Sequence, residues 1–460
     1  MRAVTLRSLR LTITAKCAKK NAQSAQRITI IIMNFTNSLE FAREQDKADK
    51  LGAFRNKFLF PVLDGKQAVY FCGNSLGLQP KSASAALQQE LNDWAKFAVE
   101  GHFHAKNPWF SYEKMFNEPL AKLVGAKASE VCALGSLTNN LHLLMVSFYR
   151  PTAKRFKILC EEKPFASDQY ALESQVKFHR FNPDNAIVEL KPRAGEFTLR
   201  TEDILAKIEE LNDELALVMI GGVNYYTGQA FDMKSITATA HKVGAIAGFD
   251  LAHAAGNLVM HLHDWNVDFA CWCSYKYLNS GPGSVAGIFV HEKHGNNPEL
   301  PRFAGWWGNN PDTRFKMEKG FVPAQGADGW QLSNAPVFSM AVHKMALDIF
   351  DEAGIENLHE KSEKLTGFLE FIVDEVNSPK SDVRSPKILV LTPRNKAERG
   401  CQLSLVFSEN GKEIHEQLLK AGIITDWRNP DVIRLAPVPL YNSFEDVWKF
   451  GNELRKIMER

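Results

Sequence analysis

The segment Ser274-Tyr275-Lys276-Tyr277-Leu278-Asn279-Ser280-Gly281-Pro282-Gly283 sets a lysine between an apolar, strand-like run and a Gly/Pro turn. At a strand end, low polarity favours the neutral amine that a Schiff base requires. The glycines let backbone N–H groups come close to a ligand, often an anion. Twenty-six residues earlier, Asp250 closes another apolar run, in Phe249-Asp250-Leu251-Ala252-His253. If the two runs are neighbouring parallel strands, Asp250 and Lys276 share one rim of the sheet. An amine that can hold an aldehyde carbon, with a carboxylate that can face a ring nitrogen, is the pair that pyridoxal phosphate (PLP) chemistry needs. Opposite charges about 4 Å apart attract by roughly 4 kcal/mol at an effective dielectric of about 20. That corresponds to up to about three pKa units, enough to keep a pyridine ring protonated as an electron sink. Taken singly, each residue has a plainer reading: Lys276 as a solvent-facing loop lysine, Asp250 as a helix N-cap, His253 as a packed ring. The pairing is what favours a site.

The elements that must position this pair are legible as apolar runs. Lys157–Cys160, Leu215–Ile220, Ala245–Asp250, Phe269–Cys273 and Gly287–Val290 each read as a buried strand, and helix-like polar stretches separate them. That pattern implies an α/β fold with a mostly parallel sheet wrapped on both faces, whose ligands bind at the carboxyl ends of the strands. Upstream, residues 40–58 are helical in pattern, Tyr70 to Leu78 is a strand running into a Gly/Asn turn, and helices follow around 81–99 and 111–124. After about 335 helices return, with strands at Gln402 to Phe407 and Val432 to Pro437, which reads as a smaller α+β domain.

Length and composition agree. The chain has 460 residues, 45% hydrophobic and 23% charged, enough for a large α/β domain and a smaller one. The net charge of +2 misleads, because residues 1–33 hold seven basic residues and no acidic one. The remainder is mildly acidic and has no electrostatic footprint for nucleic acid. The basic leader reads as an organelle transit peptide or, preferably, as sequence upstream of a true start at Met33. No uncharged apolar run approaches the roughly 18 residues of a membrane span. Seven scattered cysteines suit a reducing compartment, and a cytoplasmic location is expected. Cys271-Trp272-Cys273 lacks a second ligand pair, so no metal site is expected.

The stretch from Gly244 to Gly283, with Asp250-Leu251-Ala252-His253-Ala254-Ala255-Gly256-Asn257 and Ser274-Tyr275-Lys276-Tyr277-Leu278-Asn279, resembles the kynureninase family. The similarity runs from about Phe71 to the C-terminus and does not cover residues 1–33. It implies a fold-type I PLP-dependent transferase fold: a large domain with a mostly parallel seven-stranded sheet and a smaller α+β domain. The division expected is 1–33 leader, 34–95 N-terminal segment packing with the small domain, 96–335 PLP-binding domain and 336–460 small domain. By resemblance, Lys276 carries the cofactor, Asp250 faces the pyridine nitrogen and His253 lies beside it. Tyr275 contacts the phosphate. In Phe165-Ala166-Ser167-Asp168, Phe165 stacks on the ring, Asp168 sits near its nitrogen, and Ala166 and Ser167 line the site. Gly135-Ser136-Leu137-Thr138-Asn139-Asn140 matches the phosphate loop, with Leu137 and Thr138 in contact. A Ser/Thr/Asn-rich turn opening a helix is a good phosphate seat, since free N–H groups point outward there.

Other matches follow. Gly221-Gly222-Val223-Asn224-Tyr225-Tyr226 departs from members that have serine at Gly221 and histidine at Asn224, so Gly221 serves only through its backbone. Tyr226 matches the family's catalytic tyrosine. Trp306, in Gly305-Trp306-Trp307-Gly308, would reach the phosphate of a neighbouring subunit, which implies a homodimer with shared sites. Asn334 would contact the cofactor and the substrate ring. Arg434, in Val432-Ile433-Arg434-Leu435, would clamp a substrate carboxylate, a task suited to a planar guanidinium. The implied activity is hydrolysis of L-kynurenine or 3-hydroxy-L-kynurenine to anthranilate or 3-hydroxyanthranilate plus L-alanine, in tryptophan catabolism and NAD biosynthesis. His102 and Asn334 match members that favour the 3-hydroxy substrate. Rival readings are a cysteine desulfurase or aminotransferase of the same fold, and a non-enzymatic scaffold. A desulfurase needs a mobile cysteine, and the late candidate Cys401 sits just before a strand instead.

Overall fold

A computed structural model describes residues 34–378 and 388–459. The basic leader and Met33 lie outside the described residues. Among the described residues, the apolar runs form strands because both of their faces are shielded from water. Strands β1 (Val131–Ala133), β2 (Lys157–Glu161), β3 (Ile187–Leu190), β4 (Leu215–Gly221), β5 (Ile246–Asp250), β6 (Phe269–Trp272) and β7 (Gly287–Val290) make one sheet in the order β1-β7-β6-β5-β4-β2-β3. Only β7 runs against its neighbours, and the other pairs are parallel. Every residue of β4 before Gly221 is buried.

Successive side chains of a strand point to opposite faces, and the core follows that rule. Leu159, Val218, Ile220, Phe249 and Trp272 join one apolar cluster. Ile158, Leu217, Met219, Phe269 and Cys271 join a second. Burial on both faces explains the near-continuous apolar sequence of the central strands. Two strands were not expected. β1 is three residues long, too short to show a period, and β3 is a half-exposed edge carrying Glu189.

A second sheet of four antiparallel strands, β8 (Ile388–Val390), β9 (Leu403–Phe407), β10 (Asp426–Arg428) and β11 (Val432–Leu435), has the order β8-β9-β11-β10. β10 reads as polar in sequence because its Asp426 and Arg428 face side-chain partners. The N-terminal segment is tied to this sheet. Ile423 and Ile424 pair in parallel with Val69 and Tyr70, and Cys72 bridges to Ala436. Helix α1 (Leu39–Ala48) packs on helix α2 (Phe444–Met458). There Asp46 accepts the free N–H groups of Phe444 and Glu445 at 2.7 and 3.0 Å, satisfying donors that a helix start leaves open. Arg55 pairs with Asp446 at 2.6 Å, and buried Lys361 pairs with Asp49 at 2.7 Å.

The same N-terminal segment braces the lysine loop. The Gly77 N–H donates to the Tyr275 carbonyl at 2.8 Å. A Cβ on Gly77 would strike the Lys276 carbonyl and the Asn279 side chain, so only glycine allows this approach. Gly77→Ala is therefore expected to destabilise the protein by about 1–3 kcal/mol, the usual effect of overpacking. Chemical denaturation measures it, and an unchanged midpoint would show that the loop is not seated this way.

Candidate active site

Five strand ends deliver the site. After β6 the chain turns through Cys273 to Tyr275 and presents Lys276, which is 8% exposed. The turn closes through Asn279 N–H to the Lys276 carbonyl at 3.0 Å and Ser280 N–H to the Ser274 carbonyl at 3.1 Å. Asp250 ends β5, which pairs in parallel with β6, so the expected shared rim is present. Asp250 Oδ1 accepts the Ala252 N–H at 2.7 Å. Lys276 Nζ lies 2.9 Å from His253 Nε2. Burial, then the Lys276 charge, holds His253 well below the usual histidine range, so the amine donates to a neutral ring.

Beyond β2, the helix Ala166–Phe178 starts with Phe165 as its N-cap and carries Asp168 in its first turn. Burial, then the adjacent Asp250 charge, pushes Asp168 well above the carboxylate range. The two carboxyls share a hydrogen bond that favours the charged form of Asp250 and the protonated form of Asp168. Burial also raises Asp250, opposed by that hydrogen bond and by Lys276. Asp168 is thus the proton holder and Asp250 the member that ionises. Phe165 covers one side, with Lys276 Nζ 5.6 Å from its ring centroid. The helix Leu137–Phe148 after β1 points its first turn, with Leu137 and Thr138, at the same space.

These groups enclose a cavity of about 170 Å³ lined by Leu137, Thr138, Phe165, Ser167, Asp168, Gly221, Asp250, His253, Tyr275 and Lys276. Phe165, Tyr225 and Glu161 also line an adjoining cavity of about 1030 Å³ that runs to the second sheet past Ala166, Tyr226, Arg428 and Asp431. Tyr226 Oη donates to Asp431 Oδ1 at 3.3 Å, and burial, then Asp431, pushes the phenol up to about 12. Arg434 is fully buried and does not line either cavity. Its guanidinium donates to the Tyr225 carbonyl at 2.7 Å and holds Asp426 at 2.8 Å.

The cavity suits an anionic aldehyde on a nitrogen ring. Three buried polar atoms at the site, Asp168 Oδ1, His253 Nδ1 and Ser274 Oγ, have no hydrogen-bond partner. A helix start offers N–H groups to an anion, and a lysine and an aspartate share the floor.

Known proteins resemble the chain over about nine-tenths of its length. Residues 69–388 match the family model of class-V aminotransferases, and residues 358–454 match that of the kynureninase C-terminal domain. The kynureninase of Flavobacterium psychrophilum is 58% identical over 92% of this chain and 99% of its own. That of the sea anemone Nematostella vectensis is 49% identical over 90% of this chain and 92% of its own. The chain belongs to the kynureninase family. Among solved structures, a cysteine desulfurase from Escherichia coli superposes with a TM-score of 0.71 at 16% identity, covering 89% of this chain and 98% of its own. A mutant of C-DES with glycine covalently linked to its PLP cofactor superposes with a TM-score of 0.69 at 16% identity, covering 84% and 96%. These two share the fold, the fold-type I architecture expected from the motifs.

For a kynureninase-family chain, the residues that the single subunit does not gather are informative. His102, Trp306 and Asn334 line neither cavity. Trp306 is 44% exposed, with its indole N–H on the Arg314 carbonyl, and His102 bonds the Val99 carbonyl at 2.9 Å. Cys401 is fully buried and its thiol is pushed up to about 12, which is contrary to a desulfurase nucleophile.

Of the residues lining the cavity, Glu161, Val223, Tyr225 and Ala252 were not among the expected site residues. Glu161 ends β2 as the last residue of an apolar run, the same signal that picked out Asp250. Its carboxyl accepts long bonds from the Gly221 N–H, at 3.3 and 3.4 Å. A Cβ on Gly221 would lie 3.2 Å from Glu161 Oε1, so the glycine makes room for the acid. Burial raises the Glu161 carboxyl to about 7 from an ordinary 4.5. Between these values the folded protein holds a proton that the unfolded chain has released, so stability falls as pH rises through that window. Glu161→Gln is expected to flatten the fall in the cofactor-free protein between about pH 5 and 7. Urea titrations at several pH values measure the slope, and an unchanged slope would refute this assignment.

Proposed function

We propose that this protein hydrolyses L-kynurenine or 3-hydroxy-L-kynurenine to anthranilate or 3-hydroxyanthranilate plus L-alanine, with PLP as its cofactor. The observation that carries the reading is Lys276 and Asp250 on one rim, in a chain 58% identical to a kynureninase. PLP, when bound, supplies an aldehyde that captures an amine and a protonated ring that draws electrons from the bonds at the captured carbon.

Lys276 would hold that aldehyde, with Asp250 facing the ring nitrogen and Asp168 keeping the proton that lets Asp250 stay ionised. Phe165 would lie on the ring, with Ala166 and Ser167 beside it. Leu137, Thr138, Gly221 and Tyr275 would seat the phosphate. Freed from the aldehyde, the Lys276 amine is placed to take a proton from the substrate α-carbon, with His253 2.9 Å away to orient it. Arg434 would turn its guanidinium to the substrate carboxylate, in exchange for part of its hold on Asp426. Tyr226, high in pKa and hence protonated, serves as the acid that returns a proton to the carbon left after water cleaves the aryl ketone.

The finer assignments rest on resemblance and on the surface of the subunit. The exposed rings of Phe103, Trp306 and Phe315 are linked through Phe110, with Phe103–Phe110 at 5.8 Å and Trp306–Phe315 at 5.4 Å. Together with His102 and Asn334 they fit a homodimer in which a second subunit completes the site, with His102 and Asn334 at the substrate ring and Trp306 at the phosphate. A polar partner for a ring hydroxyl favours 3-hydroxykynurenine. The boundaries 34–95, 96–335 and 336–460 are supported by the seven-stranded sheet falling within 131–290 and the four-stranded one within 388–435. Among the described residues no helix is long and apolar enough to cross a membrane, and a cytoplasmic location suits this chemistry.

Purified protein with added PLP is expected to release the fluorescent aromatic acid with alanine. Lys276→Ala should lose at least about 1,000-fold in rate, together with the visible absorbance. A yellow protein that releases neither acid would move the function to a desulfurase or aminotransferase. Comparison of kcat/KM for the two substrates should favour 3-hydroxykynurenine, and a tenfold preference for kynurenine would sink the assignment of His102 and Asn334.

A further inference from the structure

On the rim opposite Lys276, three elements bring two histidines to one buried carboxylate. Glu130 immediately precedes β1, His291 follows β7, and His263 lies in the loop before β6. Glu130 is 0% exposed. His263 Nδ1 lies 2.9 and 3.1 Å from its two oxygens, and His291 Nδ1 lies 3.8 Å from Oε1. The imidazoles stack with centroids 4.9 Å apart and planes 15° apart. One ligand atom from each residue falls within 4.8 Å of the others. A tetrahedral zinc ion bonded at about 2.0–2.2 Å spaces its donors at about 3.3 Å. The cluster brackets that distance.

Charge points the same way. The neighbouring buried carboxylate, Asp268, is paired with His241, His294 and the Lys293 ammonium at 2.8, 2.7 and 2.9 Å. Glu130 has no lysine or arginine within ion-pair distance among the described residues. Besides His263 and His291 it accepts only the N–H groups of Lys127 at 2.9 Å and Glu292 at 2.8 Å. His291 Nδ1 accepts the Lys293 N–H only at a long 3.2 Å. A buried carboxylate calls for a cation. His263, about a quarter exposed, leaves a way in and room for water as a further ligand.

We propose that Glu130, His263 and His291 form a binding site for a divalent transition-metal ion of the zinc class, separate from the active site, that fastens the ends of β1, β7 and the loop into β6. Binding joins one carboxylate oxygen and one nitrogen of each imidazole to the ion, each coordinating nitrogen giving up any proton it carries.

The test is calorimetric titration of the full-length, chelator-treated holoenzyme with zinc, with cobalt as a spectroscopic probe. One equivalent per chain, bound at micromolar or tighter concentration, is expected, with visible cobalt bands. His263→Ala and His291→Ala should each weaken it by at least about 10-fold, with kcat unchanged and circular dichroism intact. Glu130→Gln, which keeps the shape, should do the same. No binding by the unaltered protein overturns the proposal. So does an equivalent site that survives in both histidine variants.

Discussion

The site depends on the cost of burying like charges. Asp168 and Asp250 share a hydrogen bond, Glu161 lies beside them, and Lys276 is the cation that faces the pair. Three ionised carboxyls in so dry a place would repel one another by several kcal/mol at any reasonable dielectric. The molecule resolves this by pushing Asp168 well above the carboxylate range and Glu161 up to about 7. Of the pair, Asp250 is the better placed to carry negative charge, because the Ala252 N–H and Lys276 support it. Such an arrangement accommodates a further cation, and a protonated pyridine ring is one.

Strand order makes this possible. β4, β5 and β6 are parallel neighbours, so Gly221, Asp250 and the turn to Lys276 leave the sheet side by side. β2 adds Glu161 on the far side of Gly221, and its following helix returns Asp168 over the floor. The acids and the amine together span more than a hundred residues of chain, and backbone hydrogen bonds of the sheet hold their segments in register. The antiparallel β7 sends the chain back to the opposite rim, where Glu130, His263 and His291 gather.

The N-terminal segment and the second sheet supply the other wall. Ser75 bonds Asp426, Asp426 holds Arg434, and Arg434 holds the Tyr225 carbonyl at the edge of both cavities. Motion of the small sheet would therefore be felt at Tyr225 and Tyr226. Arg434 is buried at zero exposure with its charge already matched. A ligand carboxylate must compete with Asp426 for it, which favours ligands that also offer a second point of attachment at Lys276.

The sequence by itself determined the five central strands, because apolar residues on both faces leave an unbroken signal. It also placed Asp250 and Lys276, each a polar residue directly after such a run. Glu161 stands in the same relation to β2 and was passed over, since a terminal glutamate is also what a solvated strand end looks like. Strands β1, β3, β8 and β10 were illegible: three residues carry no period, an exposed edge keeps its polar residues, and Asp426 and Arg428 satisfy each other only after folding. Tertiary structure alone decided which aspartate keeps the proton, because that depends on a carboxyl from a strand end and one from a helix meeting in a dry cavity. It also decided that His102, Trp306 and Asn334 stay outside the cavity of one chain, and that residues 130, 263 and 291 meet. Local pattern records what a residue's own segment buries. Distances between segments are fixed only when the sheet closes.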